Sequence, residues 1–268
     1  MYKKMMTDWK NMRTNNKSLD QKKVSPQKMI IFGFAHCGTC ILKSILGHID
    51  DVEEVPGEST YCFANEGSSY GIKTTAKKFV LCKTPYVKPL DLLNRYKDYI
   101  MIFLIRNPLF VFSSLNKRFE YKIPPRHSYD QYVYTIKKFI NYSTNSRKNI
   151  YTIRYEDLFE NNYYNLKELI NKIGVKYDDS IFDNTKYKNV IHKGVNIRDE
   201  KPNGQRDISV SGKKNEHIEY RTWQCNQQFV SNNVISKIDL TEIQKKELTT
   251  NPYILQVYPD IKSILNSI

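Results

Sequence analysis

The chain has 268 residues, of which 40% are hydrophobic, with a formal net charge of +14 and five cysteines. That length buries a substantial core and fits one large domain, while an odd cysteine count points to a reducing compartment and away from a disulfide framework. The charge favours anionic partners, but the basic residues are dispersed in short clusters such as Lys117-Arg118, Lys137-Lys138 and Lys213-Lys214. The abundance of Lys, Asn, Ile and Tyr is also what A+T-rich codons produce, and no recognisable nucleic-acid module accompanies the charge.

Residues 1–28 are rich in Lys, Asn, Gln and Asp and hold no apolar stretch. They are read as a polar extension compatible with disorder, with neither a secretory signal nor a membrane span, so a soluble, cytoplasmic or otherwise intracellular protein is expected. The remainder, 29–268, is expected to form a single domain. An apolar run from Met29 to Phe34 reads as a buried strand, and Ile41, Leu42, Ile45 and Leu46 then fall on one face at helical spacing. Between them lies the tight loop Ala35-His36-Cys37-Gly38. Further strands are expected at Phe79–Cys82, Tyr99–Ile105 and Ile150–Arg154, each separated by enough residues for a crossover helix.

After the third of these runs, Asn107 suits an N-cap and Pro108 the first helical position, which places Ser114 about two turns into a helix. Tyr129, Tyr132, Val133, Ile136, Phe139 and Ile140 make a second helical stripe, and Leu166, Leu169, Ile170 and Ile173 a third that ends at Gly174. From about 183 to 221 the chain is polar, basic and aperiodic, either a lid over an anionic ligand or a solvated excursion. Thr241 and Gln244 fit a capping box for a final helix. Alternating strands and helices predict an α/β fold, a three-layer α/β/α sandwich on a central, mostly parallel sheet.

Two stretches look like halves of one phosphate cradle. A helix N-terminus presents unpaired N–H groups and the positive end of its dipole, so the loop ahead of Thr39 and Cys40 is suited to an anion. Arg106, delivered at a strand end, can fork onto a phosphate, and Ser114 can add a hydroxyl. Gly33 and Gly38 have P-loop spacing, but Thr39 and Cys40 stand where the P-loop lysine and its Ser/Thr belong, which removes two parts of an ordinary kinase or NTPase mechanism. Cys37-Gly38-Thr39-Cys40 is also the signature of a thioredoxin-like thiol–disulfide oxidoreductase, in which the helix would lower the Cys37 pKa and Thr84-Pro85 would supply the neighbouring proline. A single CxxC is weak evidence for zinc, and no metal site is assigned.

Taken together, the motifs resemble the PAPS-dependent sulfotransferase family, a relative of the P-loop kinases. Its Pro-Lys/Arg-Ser-Gly-Thr-Thr loop is similar to Ala35 through Cys40, and its Arg-Asp/Asn-Pro with a Ser eight residues on is similar to Arg106-Asn107-Pro108 and Ser114. Leu81-Cys82-Lys83-Thr84-Pro85 resembles the Lys-Thr/Ser-Pro segment of the carbohydrate and tyrosylprotein branches, Tyr155-Glu156-Asp157-Leu158 the family's Tyr-Glu-Asp-Leu, and Arg221 with Trp223 its late Arg-x-Trp element. The resemblance implies a P-loop-kinase-like fold, PAPS as donor with PAP as product, no metal, and a hydroxylated acceptor, a glycan being preferred. It implies donor binding by His36, Cys37, Gly38, Thr39, Cys40, Arg106, Ser114 and Arg221. Glu58 would be the general base, with Glu54 in reserve, and Lys83 and His36 would stabilise the leaving side. The chain departs from the family where His36 replaces the loop's Lys or Arg, Cys37 its Ser and Cys40 its second Thr. A PAP-binding protein with impaired catalysis therefore stands as a third reading.

Overall fold

A computed structural model describes residues 26–54, 77–84, 98–145, 148–183, 231 and 233–268. Within them the first strand, β1, spans Gln27–Gly33 and feeds helix α1, Thr39–Gly47. Strands β2 (Val52–Glu54), β3 (Phe79–Thr84) and β4 (Ile100–Ile105) follow. Then come α2 (Pro108–Phe119), α3 (Tyr129–Thr144), β5 (Ile150–Arg154) and α4 (Tyr164–Ile173). The chain closes with three helices, α5 (Glu242–Thr250), α6 (Pro252–Val257) and α7 (Ile261–Asn266).

All pairings in the five-stranded sheet are parallel, in the order β2-β3-β1-β4-β5. Parallel strands need helical crossovers that cover both faces, which is why β1, β3 and β4 are continuous apolar runs. Met29, Ile31, Leu81, Ile102 and Leu104 point to one face, where α1 and α4 bring Leu42, Ile45, Leu166 and Ile170. Ile30, Phe32, Cys82, Phe103 and Ile105 point to the other, where α2, α3 and the C-terminal helices bring Leu109, Leu115, Tyr132, Ile136, Leu248 and Ile254. The α/β/α layering expected from the alternation is thus realised.

β1 leaves toward β2 over the face that holds α1, and β4 leaves toward β5 over the opposite face. Their C-terminal ends therefore diverge and open a crevice, the place where ligands bind in open parallel sheets. Gly33 makes the close pairing there possible, since a Cβ on it would meet the Leu104 carbonyl oxygen at 2.1 Å.

Local signals fixed most boundaries. Asn107 Oδ1 accepts from the Leu109 N–H at 3.0 Å, Gly174 ends α4 at φ 81°, and Thr241 and Gln244 form the reciprocal capping box. Two elements differ from expectation. The short edge strand β2 carries a single fully buried residue, Val52, too little for a periodic signal. The expected last helix is followed by two more, because Asn251-Pro252 breaks α5 and recaps the chain, Asn251 Oδ1 accepting from the Tyr253 and Ile254 N–H groups.

Candidate active site

The loop after β1 is shaped by its backbone. His36 sits at φ 65° and Gly38 at φ 90°, both left-handed. At Gly38 that conformation is coupled to packing: a Cβ would lie 2.4 Å from Tyr155 Cδ2. Gly38 is the N-cap of α1 and has no side chain with which to cap it, and no acidic residue lies in the helix's first turn. The first-turn N–H groups and the dipole thus face the crevice without a competing carboxylate of their own helix. Phe34 anchors the other end of the loop, packing edge-on against Tyr132 at 5.2 Å between ring centroids.

Arg106 reaches this loop from β4. Its Nη1 donates to the His36 carbonyl oxygen at 3.3 Å and its Nε to Asn233 Oδ1 at 2.8 Å, with the guanidinium 4.4 Å from the Tyr155 ring centroid. Tyr132 Oη donates to the Arg106 carbonyl at 2.5 Å. Behind it, Glu156 Oε1 accepts from the Asn107 N–H at 2.9 Å and from Asn233 Nδ2 at 2.8 Å. Burial pushes the Glu156 carboxyl above the usual carboxylate range, opposed by those donors and by Arg106. Asp157 accepts a two-pronged contact from Arg154, at 2.6 and 2.8 Å. Each polar member of the Tyr155-Glu156-Asp157-Leu158 segment therefore braces the β4 and β5 ends: Tyr155 stacks on Arg106, Glu156 holds Asn107 and Asn233, and Asp157 fixes Arg154.

Ser114 joins the loop from α2: His36 Nδ1 lies 2.6 Å from Ser114 Oγ, and His36 Nε2 lies 3.4 Å from Arg118 Nη1. Lys83, only 4% exposed at the end of β3, donates from Nζ to Cys40 Sγ at 2.7 Å. The structure thus brings together His36, Gly38, Thr39, Cys40, Lys83, Arg106 and Ser114 around one crevice, while Cys37, from the same loop, is buried in the core. His36, expected beside the transferred group, has both ring nitrogens engaged by α2. Glu58 and Arg221 lie outside the described residues, as do Trp223 and Pro85. Glu54, the reserve base, forms an ion pair at 2.8 Å with Lys43, itself 2% exposed, and so has a structural role between α1 and β2.

Cys37 departs from what a thiol nucleophile requires. It is fully buried in the core beside α2 and α3, and burial pushes its thiol up to about 12, outweighing the attraction of Arg106. The thiol is therefore raised where the sequence led to the expectation of a lowered one, desolvation outweighing Arg106 and the backbone hydrogen bonds around it. No disulfide joins Cys37, Cys40 or Cys82.

Several contributors were missed by motif reading. Asn233 follows a long aperiodic stretch and offered no signal. Tyr132 was read only as part of an apolar stripe, and Arg118 only as part of a basic cluster, although its i, i+4 spacing from Ser114 puts both on one helix face. Among the described residues, no group of three metal-ligating side chains is clustered and no helix is long and apolar enough to cross a membrane.

No family model matches the sequence, and no curated protein matches it. Among solved structures, the chain is similar to mouse sulfotransferase SULT7A1 complexed with PAP, at 14% identity over 90% of this chain and 89% of that one, with a TM-score of 0.47. It is also similar to the sulfotransferase domain from the curacin biosynthetic pathway, at 14% identity over 90% and 97% of the two chains, with a TM-score of 0.45. A sulfotransferase from Alicyclobacillus acidocaldarius is similar at 15% identity over 60% of this chain and 90% of that one, with a TM-score of 0.41.

Proposed function

We propose that this protein is a PAPS-dependent sulfotransferase that moves the sulfuryl group to a hydroxyl acceptor. The observation that carries the reading is the convergence of the α1 N-terminus, Arg106 and Ser114 on one crevice, tied together by the Arg106–His36 carbonyl contact at 3.3 Å and the His36–Ser114 contact at 2.6 Å. A nucleotide with phosphate at both ends of its ribose suits that pair of arms. The first-turn N–H groups of Thr39 and Cys40 would take the 5′-phosphosulfate, and Arg106 with Ser114 the 3′-phosphate.

In this reading the acceptor oxygen attacks sulfur in line, the new O–S bond forms as the bond from sulfur to the bridging oxygen breaks, and PAP leaves with the electron pair. Catalysis is then mainly positioning and charge stabilisation. Lys83 would neutralise charge on the leaving oxygen from its buried place beside Cys40, and Glu58 would take the acceptor's proton. Arg221 would add a donor contact from the polar stretch, and 29–268 would act as one domain. A glycan hydroxyl is the preferred acceptor because Glu58 and Lys83 resemble the carbohydrate branch.

The reading is tested by calorimetric titration with PAP and with ATP, followed by transfer of label from [35S]PAPS to a panel of glycan, peptide-tyrosine and small hydroxylated acceptors. PAP binding that is lost in Arg106→Ala, with little response to ATP, is expected. PAP binding without transfer to any acceptor would leave a binding protein in its place, and no PAP binding by folded protein would refute the reading.

A further inference from the structure

His36 links two α2 side chains that the donor-site reading does not by itself connect. Its Nδ1 lies 2.6 Å from Ser114 Oγ and its Nε2 lies 3.4 Å from Arg118 Nη1. A guanidinium has donors only, so Arg118 can bond to His36 only where Nε2 is the unprotonated ring nitrogen. The proton of the neutral ring is then on Nδ1, and Nδ1–H donates to Ser114 Oγ. A hydroxyl that accepts from His36 keeps its own proton for another partner. In the opposite tautomer, Nε2–H would point at a cation and Ser114 would spend its proton on Nδ1. Arg118 is therefore the group that decides, and α2 sets the geometry by carrying Ser114 and Arg118 one turn apart.

We propose that Arg118, acting through His36, is a positioning residue that turns the Ser114 hydroxyl proton toward the nucleotide's 3′-phosphate, and so determines the preference for a 3′-phosphorylated nucleotide. The second half rests on the donor-site reading; the tautomer does not. A histidine in place of the loop's usual cation is, on this view, part of the phosphate-reading arm. Its substitution should alter the choice of nucleotide before it alters the transfer step.

Two measurements test the proposal separately. Long-range 1H–15N NMR of the labelled full chain at pH 7.5 reads the tautomer, with His36 identified among the five histidines by loss of its signals in His36→Asn. The Nδ1–H form is expected in the wild type and the Nε2–H form in Arg118→Ala; Nε2–H in the wild type would overturn the relay. Calorimetry with PAP and with AMP reads its purpose. Arg118→Ala should weaken PAP by about tenfold, the worth of one hydrogen bond to a charged group, while AMP changes less than twofold. His36→Asn, whose amide can stand in for Nδ1, should keep more PAP affinity than His36→Gln, whose amide reaches toward the Nε2 position. Equal losses for PAP and AMP, or equal effects of Asn and Gln, would overturn the assigned role. If the wild type binds no PAP, the donor-site reading fails, and the tautomer alone decides whether Arg118 orients His36.

Discussion

Gly38 couples the loop's backbone to the packing behind Arg106, and Gly38→Ala separates the two effects. An L-residue in the left-handed region costs about 1–2 kcal/mol, and φ 90° lies beyond the usual left-handed basin. The added Cβ would also sit 2.4 Å from Tyr155 Cδ2 and 2.6 Å from Cε2. Tyr155 is 1% exposed and cannot swing into solvent, so the ring has to shift within a packed core, at about 1–3 kcal/mol. The total expected for Gly38→Ala is about 2–5 kcal/mol. Gly174→Ala is the control: φ is 81° there, but nothing lies within 4 Å of the new methyl, so only the backbone cost of about 1–2 kcal/mol applies. Urea unfolding of both variants should show equal m-values and a Gly38→Ala midpoint well below that of Gly174→Ala. Adding Tyr155→Leu to Gly38→Ala should return at least about 1 kcal/mol of the loss in a double-mutant cycle. Because the Tyr155 ring lies 4.4 Å from the Arg106 guanidinium, the proposed function further predicts that PAP affinity falls with stability. Equal costs for the two glycines, or an additive cycle, would refute the coupling.

Burial, with Arg126 and Arg118 nearby, holds His127 down at about 4, so the unfolded chain takes up a proton near pH 6.5 that the folded chain refuses until about pH 4. Stability from this group is therefore complete above pH 6.5 and lost as pH falls toward 4; urea titrations should show that slope, up to about 1.4 kcal/mol per pH unit, and His127→Phe should flatten it. In native protein at pH 8, iodoacetamide with peptide mapping should label half-buried Cys40 well before Cys37, and equal labelling rates would contradict the buried, high-pKa thiol. Asn107→Ala removes the α2 cap and should cost about 1 kcal/mol, a fall of about 2–4 °C in Tm, most of which Asn107→Ser recovers; an unchanged Tm would show that the cap contributes nothing.

The features that the sequence specifies through its local pattern alone are those whose partners lie within a helical turn or one strand. Asn107 caps Leu109 two residues on, Gly174 turns the chain out of α4, and Thr241 and Gln244 cap each other, so neighbouring residues suffice to specify them. The apolar runs likewise marked β1, β3 and β4, because a strand covered on both faces has no polar side to interrupt it, and Ile150–Arg154 marked the partly buried edge strand β5. β2 escaped notice since its place is set by pairing with β3 rather than by its own three residues.

The sequence by itself determined the α/β alternation, the strand–loop–helix at Gly33–Thr39 and the capped helix behind Arg106. Only the tertiary structure decided that these meet, because the strand order sets β4 beside β1 and opens their ends into one crevice. Arg106 and Asn233 are 127 residues apart, and His36 and Arg118 82 apart, so no local period could announce either contact. Burial decided the character of Cys37 in the same way: a helix terminus is visible in the sequence, but the hydrophobic enclosure that raises the thiol is assembled from β1, α2 and α3 together.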